Sequence, residues 1–388
     1  MGEREFDIIV YGASGYTGRL VAEYLQSEYG GSDLKWVMAG RNAAKLESVR
    51  AEMGVSDSVE IVTANSDDTN SLSALAKRSK AIITTVGPYQ LYGEPLLKAC
   101  AEEGTDYVDL CGEPAWMKDM IARYDDTAKA SGARIVLSCG FDSIPFDLGV
   151  LHLQNHAIEN HGGAVSEVRC RVRSMQGTFS GGTAASFMET MKRAQKQPEI
   201  LDWLKDPFSL SPKTGPAQPA IHKPMEEADL GSWATPFIMA SINTKNVHRS
   251  NALLNYKYGE DFQYGEMVLT GPGEKGEAIA KGMAKSNAFG DNPPKPGEGP
   301  TKEERENGSY DVMFVGESSD GTRIISSVKG DKDPGYGSTS KMISEAAITL
   351  VKDVQGEGGV MTSAPAIGAA LIARLQDHAG LNFEIEKG

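Results

Sequence analysis

The sequence lacks any apolar run close to the roughly 18 residues that a membrane-spanning helix requires, and its charged first residues lack the apolar core of a signal peptide. We therefore predict no membrane span. Cysteine is also scarce, and the four thiols are scattered at positions Cys100, Cys111, Cys139 and Cys170. Because no pair has the C-x-x-C spacing, we expect reduced thiols and a cytoplasmic location rather than a disulfide framework.

The sequence also contains fewer basic than acidic residues. The 39 Lys and Arg residues are outnumbered by 53 Asp and Glu residues, which gives a formal net charge of -14. This balance argues against nucleic acid and anionic membrane surfaces as partners, since both require basic patches. His152, His156 and His161 lie near one another, but no Glu or Cys completes a ligand set around them, so we predict no metal site.

What the sequence does contain is a regular alternation of strand and helix patterns over its first ~150 residues. Apolar runs predict strands at residues 7–11, 34–39, 59–64, 81–86, 107–110 and 134–138. Helical patterns lie between them. Such alternation predicts an α/β fold with a doubly wound, mainly parallel, Rossmann-like sheet. A chain of 388 residues is long enough for about two domains.

Three glycines follow the first predicted strand. Gly12, Gly15 and Gly18 come directly before a helical pattern. A strand, a glycine turn and a helix N-terminus together form a diphosphate site, in which Gly12 allows the turn and Gly15 allows the phosphates to approach. We predict nucleotide contacts from the residues Gly12, Ser14, Gly15, Tyr16 and Thr17. The alternative interpretation is a plain βα turn that is rich in glycine.

The end of the second predicted strand indicates which nucleotide binds. An NAD site usually has an acidic residue about 20 residues past the glycines, where it contacts the ribose hydroxyls. This sequence has Arg41 there, and a guanidinium suits a 2′-phosphate, so we predict NADP(H) as the cofactor. The alternative is that Arg41 is a solvated residue at the start of the second helix. Asn65, after the third strand, is expected near the adenine.

Further turns are expected at the carboxyl edge of the sheet, where ligands of doubly wound folds bind. Val86, Gly87 and Pro88 end the fourth predicted strand, and we expect them beside the nicotinamide ribose. Cys139 and Gly140 end the sixth strand at the same edge. We predict that these two also contact the cofactor.

Two residues at this edge are candidates for catalysis. Tyr89 offers a phenol as a proton donor, although tyrosine more often only packs. Asp142 or its neighbour Ser143 is expected to orient the substrate or the nicotinamide carboxamide, and the alternative is that Asp142 only caps the following helix. The stretch from Ser180 to Thr183 precedes another predicted helix. It is expected to bind an anion or a carbonyl oxygen, or else only to cap that helix.

The pattern changes after Pro145. We predict a strand at 165–174, a helix at 184–196, a long ordered loop at 197–235, a hairpin over 310–328 and helices at 338–353 and 365–378. The Gly- and Pro-rich stretch 271–300 is interpreted as either a lid or a surface loop. We therefore divide the chain into an NADP(H)-binding domain at 1–147, an α+β substrate or dimerisation domain at 148–335, and C-terminal helices at 336–388 that pack back on the nucleotide domain.

Sequence blocks in both halves carry a family resemblance. The blocks are Glu5 to Gly18, Ala39 to Arg41, Thr84 to Gly93, Gly104 to Pro114, Cys139 to Pro145, Phe179 to Thr183, Arg249 to Leu254, Asp333 to Tyr336 and Gly359 to Thr362. They resemble the saccharopine-dehydrogenase-like oxidoreductases, and especially the mycobacterial trans-acting enoyl reductases of lipid metabolism. The resemblance implies a Rossmann-like N-terminal domain, an α+β second domain and NADPH chemistry on a carbon–carbon double bond conjugated to a thioester.

Three functions are left open by the sequence. The first is an NADPH-dependent reductase of an activated double bond, acting on a small-molecule or thioester-linked substrate. The second is a saccharopine-type C–N oxidoreductase or imine reductase, for which Arg171, Arg173 and Arg249 are candidate partners of substrate carboxylates. The third is a non-catalytic NADPH-binding scaffold. A homodimer is a further expectation of this sequence.

Overall fold

The first half of the chain forms a parallel sheet in the computed structural model, which describes residues 4–177, 181–286, 295 and 297–387. Its strands are β1 (Phe6–Tyr11), β2 (Trp36–Gly40), β3 (Ile61–Thr63), β4 (Ser79–Thr84), β5 (Asp106–Val108), β6 (Arg134–Val136) and, from the C-terminal part, β13 (Gly359–Met361). Within the described residues the order is β13-β6-β5-β4-β1-β2-β3, with parallel pairing throughout. The order β3-β2-β1-β4-β5-β6 is that of a Rossmann fold.

Helices cover both faces of this sheet. They are α1 (Tyr16–Tyr29), α2 (Ala43–Glu52), α3 (Thr69–Lys77), α4 (Tyr89–Tyr92), α5 (Glu94–Glu103) and α6 (Pro114–Ser131). All six residues of β1 are buried. Because successive side chains of a strand point to opposite faces, Ile8 and Val10 pack into one core while Ile9 and Tyr11 pack into another. The continuous apolar run in β1 therefore reflects burial on both sides, and the predicted α/β fold class is confirmed.

The second half forms a mixed sheet. Its strands are β7 (Glu167–Gln176), β8 (Met225–Glu227), β9 (Ser232–Pro236), β10 (Gln263–Gly271), β11 (Ser309–Glu317), β12 (Arg323–Gly330) and β14 (Leu381–Ile385). The order is β14-β12-β11-β7-β10-β9-β8 in the part of the chain that the structure describes. The pair β7 and β10 is parallel, and the other neighbours are antiparallel.

The remaining helices surround this sheet and join it to the first. They are α7 (Ile144–His161), α8 (Gly181–Lys196), α9 (Glu199–Lys205), α10 (Ala240–Leu253), α11 (Gly273–Met283), α12 (Lys302–Glu306), α13 (Thr339–Lys352) and α14 (Ser363–His378). A short π-helical turn, Pro334–Ser338, leads into α13. Phe141, Phe146, Phe237 and Tyr310 form edge-on and tilted ring contacts, so aromatic packing continues from one half into the other.

Two predictions for the second half are wrong in part. The stretch 197–235 is not a plain loop, because it contains α9, β8 and β9. The strands β8 and β9 have no clear alternation, and pairing with β10 decides their conformation. The stretch 271–300 is helical where it forms α11, which replaces the predicted lid or loop there. Residues 287–294 and 296 lie outside the described part. The predicted hairpin is confirmed as β11 and β12.

The C-terminal residues contribute to both sheets. Strand β13 extends the first sheet and β14 extends the second. The carboxylate of Glu345 on α13 is fully buried, accepts hydrogen bonds from Tyr24 (2.6 Å) and Tyr29 (2.7 Å) of α1, and pairs with Arg374 of α14 (2.7 Å). These bonds hold the last two helices against α1. The division at residues 147 and 335 stays our proposal for the domain boundaries.

The described residues also bear on membrane-spanning helices and on clusters of metal-binding side chains. None of those helices is both long and apolar enough to cross a membrane. No three His, Cys, Asp or Glu side chains within the described ranges gather as a metal cluster. His161 faces Asp320 at 3.9 Å, and His152 packs edge-on against Phe383.

Candidate active site

The turn between β1 and α1, residues 12–18, is built on its glycines. Gly12 has φ +87°, and its amide donates to the carbonyl of Ala39 at 2.9 Å. A Cβ on Gly12 would lie 2.6 Å from Cγ2 of Val86. Gly18 approaches the turn so closely that a Cβ would lie 2.2 Å from the Gly12 carbonyl oxygen. These contacts explain why the turn needs glycine at both positions.

The N-terminus of α1 faces the same turn without a side-chain cap. Its N-cap is Gly15, which is exposed and makes no side-chain hydrogen bond. The first amide groups of a helix carry partial positive charge and seek an acceptor, so an uncapped helix after a glycine turn fits a diphosphate. Ser14, Tyr16 and Thr17 are half-buried around it. The structure therefore brings together the residues that we predicted to bind the cofactor phosphates.

Arg41 lies where the second strand ends. Its side chain is exposed, and it has no hydrogen bond or ion pair to any residue that the structure describes. The next residue, Asn42, caps α2 by accepting from the amide of Lys45 at 3.0 Å. No acidic side chain occupies this strand end, which fits a 2′-phosphate better than a free ribose. Asn65 follows β3 in the chain and is exposed. Its side-chain oxygen accepts a hydrogen bond from the amide of Asp67 at 3.4 Å.

The turn after β4 places Val86, Gly87 and Pro88 at the carboxyl edge of the sheet, with Gly87 exposed. The side chain of Tyr89, by contrast, is buried. Its hydroxyl donates to the Thr84 carbonyl at 3.2 Å and accepts from the Leu110 amide at 3.0 Å. Burial raises the pKa of the Tyr89 phenol well above its ordinary value. This placement argues against the predicted role of Tyr89 as a proton donor and assigns its hydroxyl to holding the turn.

Glu113 is a residue that the sequence analysis did not single out. Its buried carboxylate accepts from the amides of Tyr89 (2.8 Å) and Gln90 (2.9 Å) at the start of α4 and from the hydroxyl of Ser186 (2.7 Å) on α8. Burial raises its pKa. The only signal in the sequence was its place in the Gly104 to Pro114 block. Glu113 therefore joins the edge of the first sheet to a helix of the second half.

The turn after β6, residues 139–143, has a buried base and a partly exposed tip. Cys139 and Gly140 are buried, the thiol of Cys139 facing the Val136 carbonyl at 3.5 Å. A Cβ on Gly140 would lie 2.9 Å from a Leu110 side-chain carbon. These two predicted cofactor residues are thus buried beneath the turn and support it from there.

Asp142 is at the tip of that turn and is half-buried. Its carboxyl makes no hydrogen bond or ion pair with the described residues, and burial raises its pKa to about 7. The interpretation of Asp142 as a helix cap is wrong, because the N-cap of α7 is Ser143 and no side chain caps that helix. A carboxyl group with this pKa exchanges its proton near neutral pH, which suits a general acid.

Side chains and backbone from the second half lie against the glycine turn. The ring of Tyr336 packs edge-on against Tyr16 at 5.2 Å between centroids. The hydroxyl of Tyr16 bonds to the carbonyl of Pro300 and accepts from Arg305 at 3.2 Å. A Cβ on Gly299 would lie 2.5 Å from the Tyr16 ring. The segment 297–300 therefore lies directly on the helix that begins at the phosphate turn.

The start of α8 also contacts the residues that pack against the glycine turn. Ser180 lies outside the described residues. The amide of Gly181 donates to the carbonyl of Glu298 at 3.2 Å, and the hydroxyl of Thr183 is 3.2 Å from that of Tyr336. Thr183, from the stretch predicted to bind an anion or a carbonyl oxygen, thus lies beside Tyr336.

The three arginines proposed for substrate carboxylates are engaged elsewhere. Arg171 pairs with the buried Glu227 at 2.8 Å. Arg173 pairs with Asp311 at 2.8 Å and with Glu386. Arg249 is buried and donates to the backbone carbonyls of Leu210 (2.8 Å) and Val360. They are structural residues, which corrects their interpretation as substrate ligands.

Comparison with known proteins agrees with this geometry. A family model described as the saccharopine dehydrogenase NADP-binding domain matches residues 8–136. The glycine turn, the uncapped α1 and the unpaired Arg41 fit that cofactor. The chain is an NADP(H)-dependent oxidoreductase.

Relatives align along nearly the whole chain. A Mycobacterium tuberculosis protein that is provisionally named a trans-acting enoyl reductase is 39% identical over 411 residues, covering 96% of each chain. The trans-acting enoyl reductase of Mycobacterium ulcerans is 35% identical over 405 residues, again with 96% of each chain covered. The chain belongs to the family of these enoyl reductases. Saccharopine dehydrogenase (L-Glu forming) from Saccharomyces cerevisiae aligns over 98% of this chain and 100% of that chain, with 14% identity and a TM-score of 0.47.

Proposed function

We propose that this protein reduces a carbon–carbon double bond conjugated to the carbonyl of a thioester. The observation that carries the proposal is Asp142, a half-buried carboxyl without a protein partner among the described residues, at the carboxyl edge of an NADP(H)-binding sheet. Reduction of such a bond needs a hydride at one carbon and a proton at the next. The enoyl reductase names of relatives that are 34–39% identical support the choice of substrate.

The residues of the chain divide the work as follows. The turn at residues 12–18 would hold the diphosphate, and Arg41 would hold the 2′-phosphate of NADPH. Bound there, the cofactor would supply the hydride for the β-carbon of the double bond. Asp142 gives its proton to the α-carbon, so that one hydride and one proton complete the reduction. The hydroxyl of Thr183, set beside that of Tyr336, is our candidate for polarising the thioester carbonyl.

The substrate is proposed to arrive on another protein. The relatives are named trans-acting, a term for an enzyme that works on a substrate supplied by a separate protein. A thioester-linked acyl group fits the carbonyl that this mechanism requires. A homodimer remains an independent proposal.

The test is the oxidation of NADPH by the purified protein with a panel of enoyl thioesters, enones, and 2-oxo acids mixed with amines. We expect turnover with the enoyl thioesters and enones. Turnover with 2-oxo acids and amines alone would establish the C–N oxidoreductase instead. Tight NADPH binding with no turnover on any member would favour the scaffold.

A further inference from the structure

Ser143, the residue after Asp142, has an unusual backbone. Its φ is +143° and its ψ is -42°, a conformation that residues with a side chain rarely adopt, and it is buried. Such a backbone conformation is strained and persists only where its surroundings hold it in place. Ser143 directly follows Asp142, so whatever holds the Ser143 backbone also restrains the turn that carries the Asp142 carboxyl.

The side chain of Ser143 does not cap the helix that it precedes. The side chain of a serine at an N-cap normally accepts a hydrogen bond from an amide of the first helical turn, which stabilises the helix. In α7 this bond is absent, although Ser143 is the N-cap. Its hydroxyl is used by another element, so the helix start alone does not explain this serine.

The hydroxyl of Ser143 is held by two buried asparagines of α10. Nδ2 of Asn246 donates to the Ser143 hydroxyl, which in turn lies 3.5 Å from Oδ1 of Asn243. Asn243 is 0% exposed and Asn246 is 1% exposed. Oδ1 of Asn246 is buried without a hydrogen-bond partner among the described residues. Burying two amides with incomplete hydrogen bonding is costly, which indicates that their position serves a purpose.

Glu266 of β10 fixes the orientation of Asn243. Its carboxyl is 0% exposed, accepts from Nδ2 of Asn243 at 3.0 Å and accepts from the hydroxyl of Tyr264 at 2.8 Å. Because Nδ2 of Asn243 is committed to Glu266, its Oδ1 is the atom presented to Ser143. A chain of contacts therefore runs from Glu266 through Asn243 to Ser143.

The charged and titratable neighbours of Glu266 are few. Burial raises its pKa to about 8, and the nearby carboxyl of Asp142 raises it further, whereas Arg171 opposes the shift. Tyr264 and Cys170 also face it and are buried. The raised pKa favours the neutral form of the Glu266 carboxyl near neutral pH, and this form places less negative charge near Asp142.

We infer that Asn243 and Asn246 of α10, with Glu266 behind them, are positioning residues that hold the Ser143 backbone and thereby aim the Asp142 carboxyl at the reacting carbon. The inference rests on the proposed role of Asp142 as the proton donor. It makes the second half of the chain a part of the catalytic apparatus of the first.

The test compares Asn246→Ala and Asn243→Ala with a matched control on the same helix. The control is Asn251→Ala, since Asn251 is also buried and makes two hydrogen bonds, to the Gly259 carbonyl (2.8 Å) and from the Tyr258 amide (2.9 Å), away from Ser143. We expect both test variants to lower kcat about tenfold with the KM for NADPH unchanged. Asn251→Ala should leave kcat and KM near wild type.

A second readout does not depend on turnover. The pKa of Asp142 is measured by NMR of ¹³C-labelled aspartate, with Asp142→Asn used to assign the resonance. Release of the turn admits water to the carboxyl, so we expect its pKa to fall by about one unit in Asn246→Ala and in Asn243→Ala. Glu266→Gln should change this pKa less, and Asn251→Ala should not change it.

Ser143→Ala removes a single oxygen and covers the case in which Asn246→Ala folds poorly. Where Asn246→Ala folds, a double-mutant cycle combines the two changes. If Asn246 acts through the Ser143 hydroxyl, Asn246→Ala adds no further loss in the Ser143→Ala background. An unchanged Asp142 pKa in Ser143→Ala and Asn246→Ala, or an equal shift in Asn251→Ala, would overturn the inference. Absence of enoyl thioester turnover in the wild type would instead reject the proposed function, while the NMR result still decides the positioning role.

Discussion

The turn at residues 12–18 and the turn at residues 139–143 solve the same problem in different ways. Both follow a parallel strand, both lead into a helix, and both contain a residue with positive φ. The first uses Gly12, for which φ +87° carries little penalty. The second uses Ser143 at φ +143°, which depends on side chains about 100 residues away. One turn is specified locally and the other by tertiary contacts.

This difference follows from what each turn presents to its ligand. The glycine turn offers backbone amides to a diphosphate, so bare backbone and close approach are required. The second turn offers one carboxyl, whose use depends on direction and on protonation state. A direction is better held by packed and hydrogen-bonded partners than by a flexible glycine, and such partners are supplied by α10.

The largest expected effect tests the second turn. Asp142→Asn removes the proposed acid without changing its size, and we expect kcat to fall by about 10²–10⁴ while NADPH affinity stays the same. Exposed Asp377→Asn on α14 is the matched control. Because burial raises the pKa of Asp142 to about 7, the acid loses its proton as pH rises through that value, and wild-type kcat/KM should decline above it. Steady-state kinetics from pH 5 to 9 check both expectations. A wild-type rate in Asp142→Asn would show that a group other than Asp142 donates the proton.

The next largest effect tests the first turn. Gly15→Val should weaken NADPH binding at least about 100-fold, equivalent to about 2.7 kcal/mol, because the branched side chain projects toward the diphosphate. The fold should persist, since a Cβ at Gly15 meets only the Gly12 carbonyl oxygen, at 3.2 Å. Gly31→Val is the control, because a Cβ there meets nothing within 4 Å. Calorimetry that finds wild-type affinity in a folded Gly15→Val protein would show that the diphosphate binds at another place.

A smaller effect concerns Arg41, which lies at the end of β2 next to the first turn, and the preference of the protein for NADPH over NADH. Arg41→Ala should remove most of an expected preference of about tenfold or more for NADPH over NADH, since a charge-assisted contact to phosphate is worth about 1.5–3 kcal/mol. Lys45→Ala removes another exposed positive charge from α2 and serves as the control. Equal affinities of the wild type for the two nucleotides, measured by calorimetric titration, would contradict the assignment of Arg41.

The same comparison explains which features could be predicted from the sequence. The Rossmann-like sheet, the glycine turn and Arg41 are visible in apolar runs and short motifs, because neighbouring residues determine them. The buried position of the Tyr89 hydroxyl was not visible, since it depends on the amide of Leu110, just beyond the end of β5. Nor were β8 and β9, whose conformation comes from pairing with β10. Asn243, Asn246 and Glu266 carry no motif, and only the folded chain brings them to Ser143.

The smallest expected effect tests whether the two turns differ as argued. Ser143→Gly relieves the backbone strain but loses the contacts to Asn243 and Asn246, and these terms have similar size, about 1–3 kcal/mol and about 1 kcal/mol for each bond. We expect the free energy of unfolding to change by less than about 1 kcal/mol. The reverse exchange, Gly12→Ser, puts a side chain at φ +87° with its Cβ 2.6 Å from Val86, and should destabilise the protein by more than about 2 kcal/mol. Urea unfolding of both variants measures the two values. Similar losses in both would mean that Ser143 is as locally fixed as Gly12, and the contacts from α10 would then be a consequence of the turn's conformation and not its cause.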